Sequence, residues 1–440
     1  MPKLGIRGQK LELTSVYKAG PCYCYRRRLR QTSKQQEGSQ STNVEFAKPR
    51  AGRRNAAVAL GLEPGPHGSC GESDVPALVC GCCVVWCHRR NSRNWHDQQV
   101  THKNTMPSIA VVGAGVVGLT TATLLQDALP GTPVTLLADK FLQDTTSDGA
   151  AGIYRPGLQF QGPSPEVTRR WLEDSYKYFK DILHSGEPEV TGVKTVSGFH
   201  FSSQYSNIVF NPFLKMILEE YRPCTQDELD FYGYKYGTFM TTILTECRRF
   251  LPYLTEKFKS RGGVVLERRL QSLEELAGDF DVACNCSGFG ARDLCGDLSV
   301  TPIRGQVFKV RAPWVKHFYY VDYDTYILPG FDLLTLGGTR QFDSYSSEVC
   351  RHDAAAIWER CTQVLPSLRN GEVVRQWVGW RPYRPSVRVE RETMTFPSKK
   401  TLEVVHNYGH GGYGVMTAPG TSINAVKLVV DYLASRKAKL

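Results

Sequence analysis

The chain has 440 residues, 41% of them hydrophobic, enough for two or three domains and a sizeable core. Its net charge of +11 belongs to residues 1–105, which hold 17 Lys/Arg against 7 Asp/Glu, whereas the rest holds 37 against 36. The near-neutral body argues against a nucleic-acid partner, and no run of about 18 apolar residues exists to span a membrane.

Residues 1–105 change composition every few positions, from a basic cluster at Tyr25–Arg30 through a Gln/Ser stretch to Gly and Pro at 61–71, without a hydrophobic period. They read as an unstructured leader outside the functional fold. The cluster Cys80-Gly-Cys82-Cys83-Val-Val-Trp-Cys87-His88 has no second pair at finger spacing, so no metal centre is expected. The seven cysteines after residue 105 lack paired spacing, which suits a reducing compartment. Met106 stands just before the first strand, where the fold is expected to begin.

Ser108 to Asp139 organises the rest. A β-branched run, Ile109–Val112, enters the turn Gly113-Ala-Gly115-Val116-Val117-Gly118, which opens into an apolar helix, and a second apolar run, 134–138, ends on Asp139 and Lys140. This spacing predicts a βαβ dinucleotide unit. Gly113 permits the tight turn, Gly115 lets backbone approach a pyrophosphate, Gly118 lets helix pack on strand, and Asp139 reaches a ribose hydroxyl.

Next come Thr145 and Thr146 and the small residues Ala151-Gly152, where backbone can run close to a flat cofactor. Helical spacing predicts a helix over 166–183, and a strand follows at 194–201; the aromatic-rich chain to Thr242 reads as irregular. A helix is expected over 241–261. The strand 280–285 then ends in Ser287-Gly288, a second glycine turn, and two such turns favour FAD. Residues 303–310 read as a strand, 319–339 as strand pairs, and 421–436 as a final helix behind the loop His410-Gly411-Gly412-Tyr413-Gly414.

The stretches AVVGAGVVGL, DTTSD-x-AAG, NCSG, RGQV, TYILPG, LGGTRQ, RPYRP and HNYGHGGYG, in this order between Met106 and Leu440, resemble the D-amino-acid oxidase family. The resemblance implies an α/β fold with an α+β substrate domain. A glutathione-reductase-like, Rossmann-type FAD domain would comprise 106–160, 248–310 and 376–440, and a mostly antiparallel β substrate domain 161–247 and 311–375. It implies oxidative deamination of D-amino acids to 2-oxo acid, ammonia and H2O2, with O2 as acceptor. Gly113, Gly115, Val116, Val117, Gly118, Asp139 and Lys140 would then hold the AMP half, with Thr145 and Thr146 at the pyrophosphate. Ala151, Gly152, Gly288, Gly411, Gly412 and Gly414 would lie along the flavin. Past Gly414, Val-Met-Thr-Ala-Pro replaces the family's tryptophan-containing stretch.

The resemblance further assigns Arg381 and Tyr326 to the substrate α-carboxylate, where a planar guanidinium suits a bidentate pair. Arg340, in GGTRQ, implies acidic D-amino acids, D-aspartate first and D-glutamate second, over the alternative of neutral substrates. Relatives acting on acidic substrates carry another arginine before TYILPG, where this chain has Tyr320. Arg155, with the hydroxyl of Tyr320 or Tyr323, is expected to replace it. The final Ala438-Lys439-Leu440 is a variant of the S-K-L signal, implying a peroxisomal import receptor as partner and the peroxisomal matrix as location. Oligomeric state is not assigned.

Overall fold

The computed structural model describes residues 106–157 and 159–438. The expectations for residues 1–105, including the Cys80–His88 cluster, and for Lys439 and Leu440 of the C-terminal signal lie outside the described residues.

The strands are Ile109–Val112 (β1), Val134–Ala138 (β2), Val193–Ser202 (β3), Glu220–Pro223 (β4), Tyr236–Thr245 (β5), Val264–Glu267 (β6), Val282–Asn285 (β7), Thr301–Arg311 (β8), Phe318–Val321 (β9), Thr325–Pro329 (β10), Leu334–Gly337 (β11), Gln341–Phe342 (β12), Glu372–Thr395 (β13) and Thr401–His410 (β14). The longer helices are Val116–Ala128 (α1), Pro165–His184 (α2), Cys247–Ser260 (α3), Arg351–Val364 (α4) and Gly414–Lys437 (α5).

Every residue of β1 and β7 is buried, as a parallel strand covered on both faces requires. They form the middle of a parallel run in the order β14-β7-β1-β2-β6. Helices α1 and α5 pack together, and α2 lies along α5, joined where Trp171 Nε1 donates to Asn424 Oδ1 at 2.9 Å and Gly420 N–H to Ser175 Oγ at 2.8 Å. The 24-residue β13 links this run to an antiparallel one: Arg388–Thr395 pairs with β14, and Glu372–Tyr383 with β8. From β8 the sheet continues as β11-β10-β9-β3-β5-β4. The register breaks between Tyr383 and Arg388, where Pro385 cannot donate to the ladder.

Three expectations are corrected. Residues 241–245 are the end of β5 and not the start of a helix: four of the run Thr-Thr-Ile-Leu-Thr are β-branched, the run pairs with β3 from Ser197 back to Val193, and α3 begins only at Cys247. The stretch read as irregular holds β4 and two capped helices, Pro212–Ile217 with Asn211 at its N-cap and Gln226–Tyr232 with a Thr225/Glu228 capping box. The last helix starts at Gly414, seven residues before the expected 421. Pro419 and Gly420 are buried inside it, and a Cβ on Gly420 would strike the Trp171 carbonyl, so close packing against α2 overrides their poor helix propensity.

Among the described residues three histidines, His200 on β3 and His406 and His410 on β14, are buried. Burial pushes His410 down to about 3. Burial and Arg388 together push His406 down to about 4, against the opposing pull of Glu392. The His406 ring is thus neutral, and its Nε2, 3.1 Å from Glu392, serves as a neutral donor. Burial, then Arg155, also holds His200 well below its ordinary range. An unfolded chain binds protons at these rings near pH 6.5 and the folded chain does not. Stability should therefore be complete above pH 6.5 and fall as pH drops toward 4, by about 1.4 kcal/mol per pH unit for each of His406 and His410, with His200 acting in the same direction. Thermal unfolding at pH 7.5 and 5 checks this; equal midpoints would contradict it.

Candidate active site

A cavity of about 770 Å³ runs from the carboxyl ends of β1, β2, β6 and β7 to the start of the antiparallel run. Its first wall is the turn after β1. Gly113 adopts φ +106°, and a Cβ there would sit 2.5 Å from the Cys286 carbonyl oxygen. A Cβ on Gly118 would coincide with the Gly113 carbonyl, which is why helix and turn can touch; Gly118 itself stands behind the wall. Gly115 faces the cavity, with only Ser147 Oγ near its missing Cβ, at 3.2 Å. Helix α1 has no side-chain cap of its own at Gly115 and no acidic residue in its first turn, so the positive end of its dipole faces the cavity.

Val116 and Val117 line the same wall, as do Asp139 and Lys140 at the end of β2 and Thr145, Thr146, Ala151 and Gly152 in the following loop. The Thr145 hydroxyl donates to the Leu142 carbonyl at 2.7 Å, so it offers lone pairs and not its proton to the cavity. Ser147, which the sequence reading passed over, accepts from the Val116 N–H at 3.1 Å. Its O–H remains to donate. Buried Asp148 anchors this loop by pairing with Arg248 at 2.8 Å and Arg375 at 3.1 Å. Gly152, at φ +73°, has no room for a Cβ against the Thr245 carbonyl, and its own carbonyl accepts from the Thr245 N–H. Gly288 lines the opposite side, and Gly411, Gly412 and Gly414 line the far end, beside the N-terminus of α5. Arg268, Arg269, Leu270 and Trp377 also line the cavity and were not anticipated. The first three follow β6, and the carboxyl end of a parallel strand was the signal available.

The glycine cradle, two helix N-termini and a carboxylate at the end of β2 fit a flavin dinucleotide, with backbone approach at both halves and fixed positive dipoles for its charge.

The antiparallel end holds the polar groups. Tyr326 on β10 is paired with Gly337 on β11 and Tyr320 on β9, and its ring fills the space a side chain at Gly337 would take. Burial pushes its phenol up to about 12 against the pull of Arg381 and Arg340, so it is a neutral O–H donor. Arg381, on β13 opposite Ile303, lies across Gly305, where no side chain would fit, and its Nη1 donates to the Thr339 carbonyl at 2.9 Å. That leaves the rest of its fork for an anion. Arg340 also lines this end, and its Nε pairs with Asp324 at 3.2 Å. Nearby, Arg304 of RGQV is spent on structure, bonding Gln341, Asp353 and Gln306.

Arg155 enters the cavity, its guanidinium carbon 3.8 Å from the centre of the Tyr320 ring, and Tyr320 stacks on Tyr326 with centroids 5.2 Å apart. Tyr323 is a correction. It is 59% exposed at the tip of the β9–β10 turn, outside the cavity lining. Asp322, at φ +50° and held by Ser202 Oγ and the Ser203 N–H, ends the strand alternation and turns the next side chain to solvent.

A model of the family DAO, FAD dependent oxidoreductase, matches residues 108–427. The chain is 41% identical over 326 residues to the D-aspartate oxidase of Homo sapiens, covering 73% of this chain and 94% of that protein. It is 33% identical over 339 residues to a D-amino acid oxidase of Dugesia ryukyuensis, covering 76% and 99%. Among solved structures, the glycine oxidase of Geobacillus kaustophilus superposes with a TM-score of 0.61 at 18% identity over 74% of this chain and 95% of that one, which shows the shared fold. Because both the cradle's architecture and these matches extend across the described body, the chain belongs to the FAD dependent oxidoreductase family.

Proposed function

We propose that the protein oxidises acidic D-amino acids, D-aspartate first and D-glutamate second, to the 2-oxo acid and ammonia while O2 becomes H2O2. The observation that carries this reading is the neutral phenol of Tyr326 flanked by two guanidinium groups, Arg381 and Arg340, at one end of a cavity shaped for a dinucleotide. FAD, when bound, would supply the hydride acceptor, and O2 would take the two electrons from it to give H2O2. Arg381 and the Tyr326 O–H hold the α-carboxylate, a charge-assisted pair plus a neutral donor, which fixes the direction of the Cα hydrogen, while Ala151, Gly152 and Gly412 on the cavity wall would hold the flavin. No carboxylate or histidine is needed as general base when the substrate amine is already neutral and geometry supplies the catalysis. Arg340 faces the substrate side chain, and in its absence Asp324 is its counter-ion. The D-aspartate oxidase of Homo sapiens and the D-amino acid oxidase of Dugesia ryukyuensis support the reading, the former for acidic substrates.

Replacing Arg340 with alanine should lower kcat/KM for D-aspartate by about one to two decades, the loss of roughly 1.5–3 kcal/mol in a charge-assisted pair, and spare D-alanine. Peroxide assays with both substrates check it, with Asp324→Asn beside Arg340→Ala to remove the stranded anion. Equal loss on both substrates would make Arg340 structural.

A further inference from the structure

The cations at the substrate end of the cavity are not in equivalent states. Arg381 is partly engaged by the Thr339 carbonyl and Arg340 already has the Asp324 carboxylate. For Arg155, no hydrogen bond or ion pair of its side chain is found among the described residues, and its Nε is buried without a partner. A guanidinium N–H taken from water and left without an acceptor is costly, and an anion that completes it removes that cost.

The chain holds this group in place on both sides. The Tyr154 N–H donates to the Ile243 carbonyl at 2.7 Å, the Tyr154 carbonyl accepts from Thr242 Oγ1 at 2.7 Å, and the Tyr154 hydroxyl donates to the Leu172 carbonyl at 2.7 Å. Beyond it, Asn211 Nδ2 donates to the Pro156 carbonyl at 2.8 Å. The guanidinium lies 3.8 Å from the centre of the Tyr320 ring, a cation–π contact that orients the planar fork without using its N–H donors. The neighbouring His200 ring, edge-on to Tyr320 with centroids 6.0 Å apart, is neutral and its Nε2 is also unpartnered, so it supplies no counter-charge. Tyr320 in turn stacks on Tyr326. One row of contacts thus connects the unpaired cation to the group that holds the α-carboxylate. Its position beside Tyr320 also sets it apart from the phosphate-facing turn of Gly113 to Gly118.

The geometry points to Arg155, presented on the ring of Tyr320, as a specificity-determining residue that binds the side-chain carboxylate of the substrate. This rests on the acidic-substrate reading above. A dicarboxylic D-amino acid supplies the missing anion, whereas a neutral one covers the guanidinium without pairing it, a penalty against the wrong substrate as well as a gain for the right one. Arg340 shares the carboxylate, so the effects of removing the two arginines should be less than additive.

The test uses flavin-loaded enzyme, with occupancy fixed by the visible spectrum. In Arg155→Gln, KM for D-aspartate should rise at least tenfold with kcat nearly kept, while kcat/KM for D-alanine changes less than threefold or increases. Affinity for malonate, which carries two carboxylates and no oxidisable amine, should fall by a similar factor when followed as a perturbation of the flavin spectrum; that for propionate should not. Arg155→Lys should recover part of both effects, and Tyr320→Leu, which removes the platform and keeps the charge, should weaken malonate by a smaller factor. Unchanged malonate affinity in Arg155→Gln, a parallel loss on D-aspartate and D-alanine, or a variant that sheds its flavin would overturn the inference. A wild-type enzyme that prefers D-alanine overturns both readings. One that prefers D-aspartate, and keeps that preference in Arg155→Gln, overturns this one alone.

Discussion

Exchanging Arg381 for leucine is expected to abolish turnover of every D-amino acid, acidic or neutral, by on the order of a thousandfold or more in kcat/KM, while the protein stays yellow. Two charge-assisted hydrogen bonds at roughly 1.5–3 kcal/mol each would be lost from the α-carboxylate, and each 1.4 kcal/mol is a decade in rate. The loss should appear in both kcat and KM, because the same contacts that bind the carboxylate aim the Cα hydrogen. Arg381→Lys should recover only part of it: an ammonium restores charge but not the planar fork that lies across Gly305. Structural damage is expected to be small, since Arg381 has no carboxylate partner among the described residues and contributes one bond, to the Thr339 carbonyl. The measurement is steady-state peroxide production with D-aspartate and D-alanine, normalised to bound flavin. A variant that loses only D-aspartate activity would show that Arg381 reads the side chain and not the α-carboxylate.

The two glycines of the first turn should fail in different ways when substituted. In Gly118→Ala the new methyl lands on the Gly113 carbonyl oxygen, and neither backbone can yield without moving α1 off β1, at the centre of the parallel run. Overpacking of this kind costs about 1–3 kcal/mol and more where backbone must move, a large part of a stability of about 5–15 kcal/mol, so low soluble yield and a lowered Tm are expected. In Gly115→Val the new Cβ meets only the Ser147 hydroxyl, a rotatable group, and Gly115 sits at φ −74° and ψ −179°, which any residue adopts. The fold should therefore survive, and the added side chain should occupy the space where phosphate approaches the helix N-terminus. The expected product is soluble, cooperatively folded and colourless, with flavin affinity down at least a hundredfold. Flavin titration followed by the visible spectrum and thermal unfolding of the flavin-free protein separate the two cases. A yellow Gly115→Val with unchanged flavin affinity would show that the dinucleotide does not cross this turn.

The second side of the substrate end was less legible. Arg155 could be suspected from its place just after Ala151-Gly152 and before Pro156, but its stacking on Tyr320 depends on residues 152–154 running along β5, and that pairing joins positions about 90 apart in the chain. The same cause explains why Tyr323 was misplaced. Strand alternation carries Tyr320 inward, and nothing local to Tyr323 announces that Asp322 will be captured by Ser202 and Ser203 from another strand. Asp324, the counter-ion of Arg340, was invisible for the same reason: the ion pair spans two hairpins.

From the residues alone, the βαβ unit, its glycine turn and the acid at Asp139 followed, because local sterics at glycine and the period of apolar residues act within about 30 positions of one another. The boundaries of β5 and α5 did not: Thr241–Thr245 is fixed as strand by pairing with β3, far away in the chain, and Gly414–Gly420 is held in helix by burial against α2 and against the poor helix propensity of Pro419 and Gly420. What only the tertiary structure decided was which charges at the substrate end are already paired. Three arginines from separate stretches, Arg155, Arg340 and Arg381, carry the same formal charge in the sequence, but a carboxylate 16 residues from one and a carbonyl 42 residues from another distinguish them. Charge compensation is a property of distances in space, and of these three it leaves Arg155 as the one whose side chain has no hydrogen-bond or ion-pair partner among the described residues.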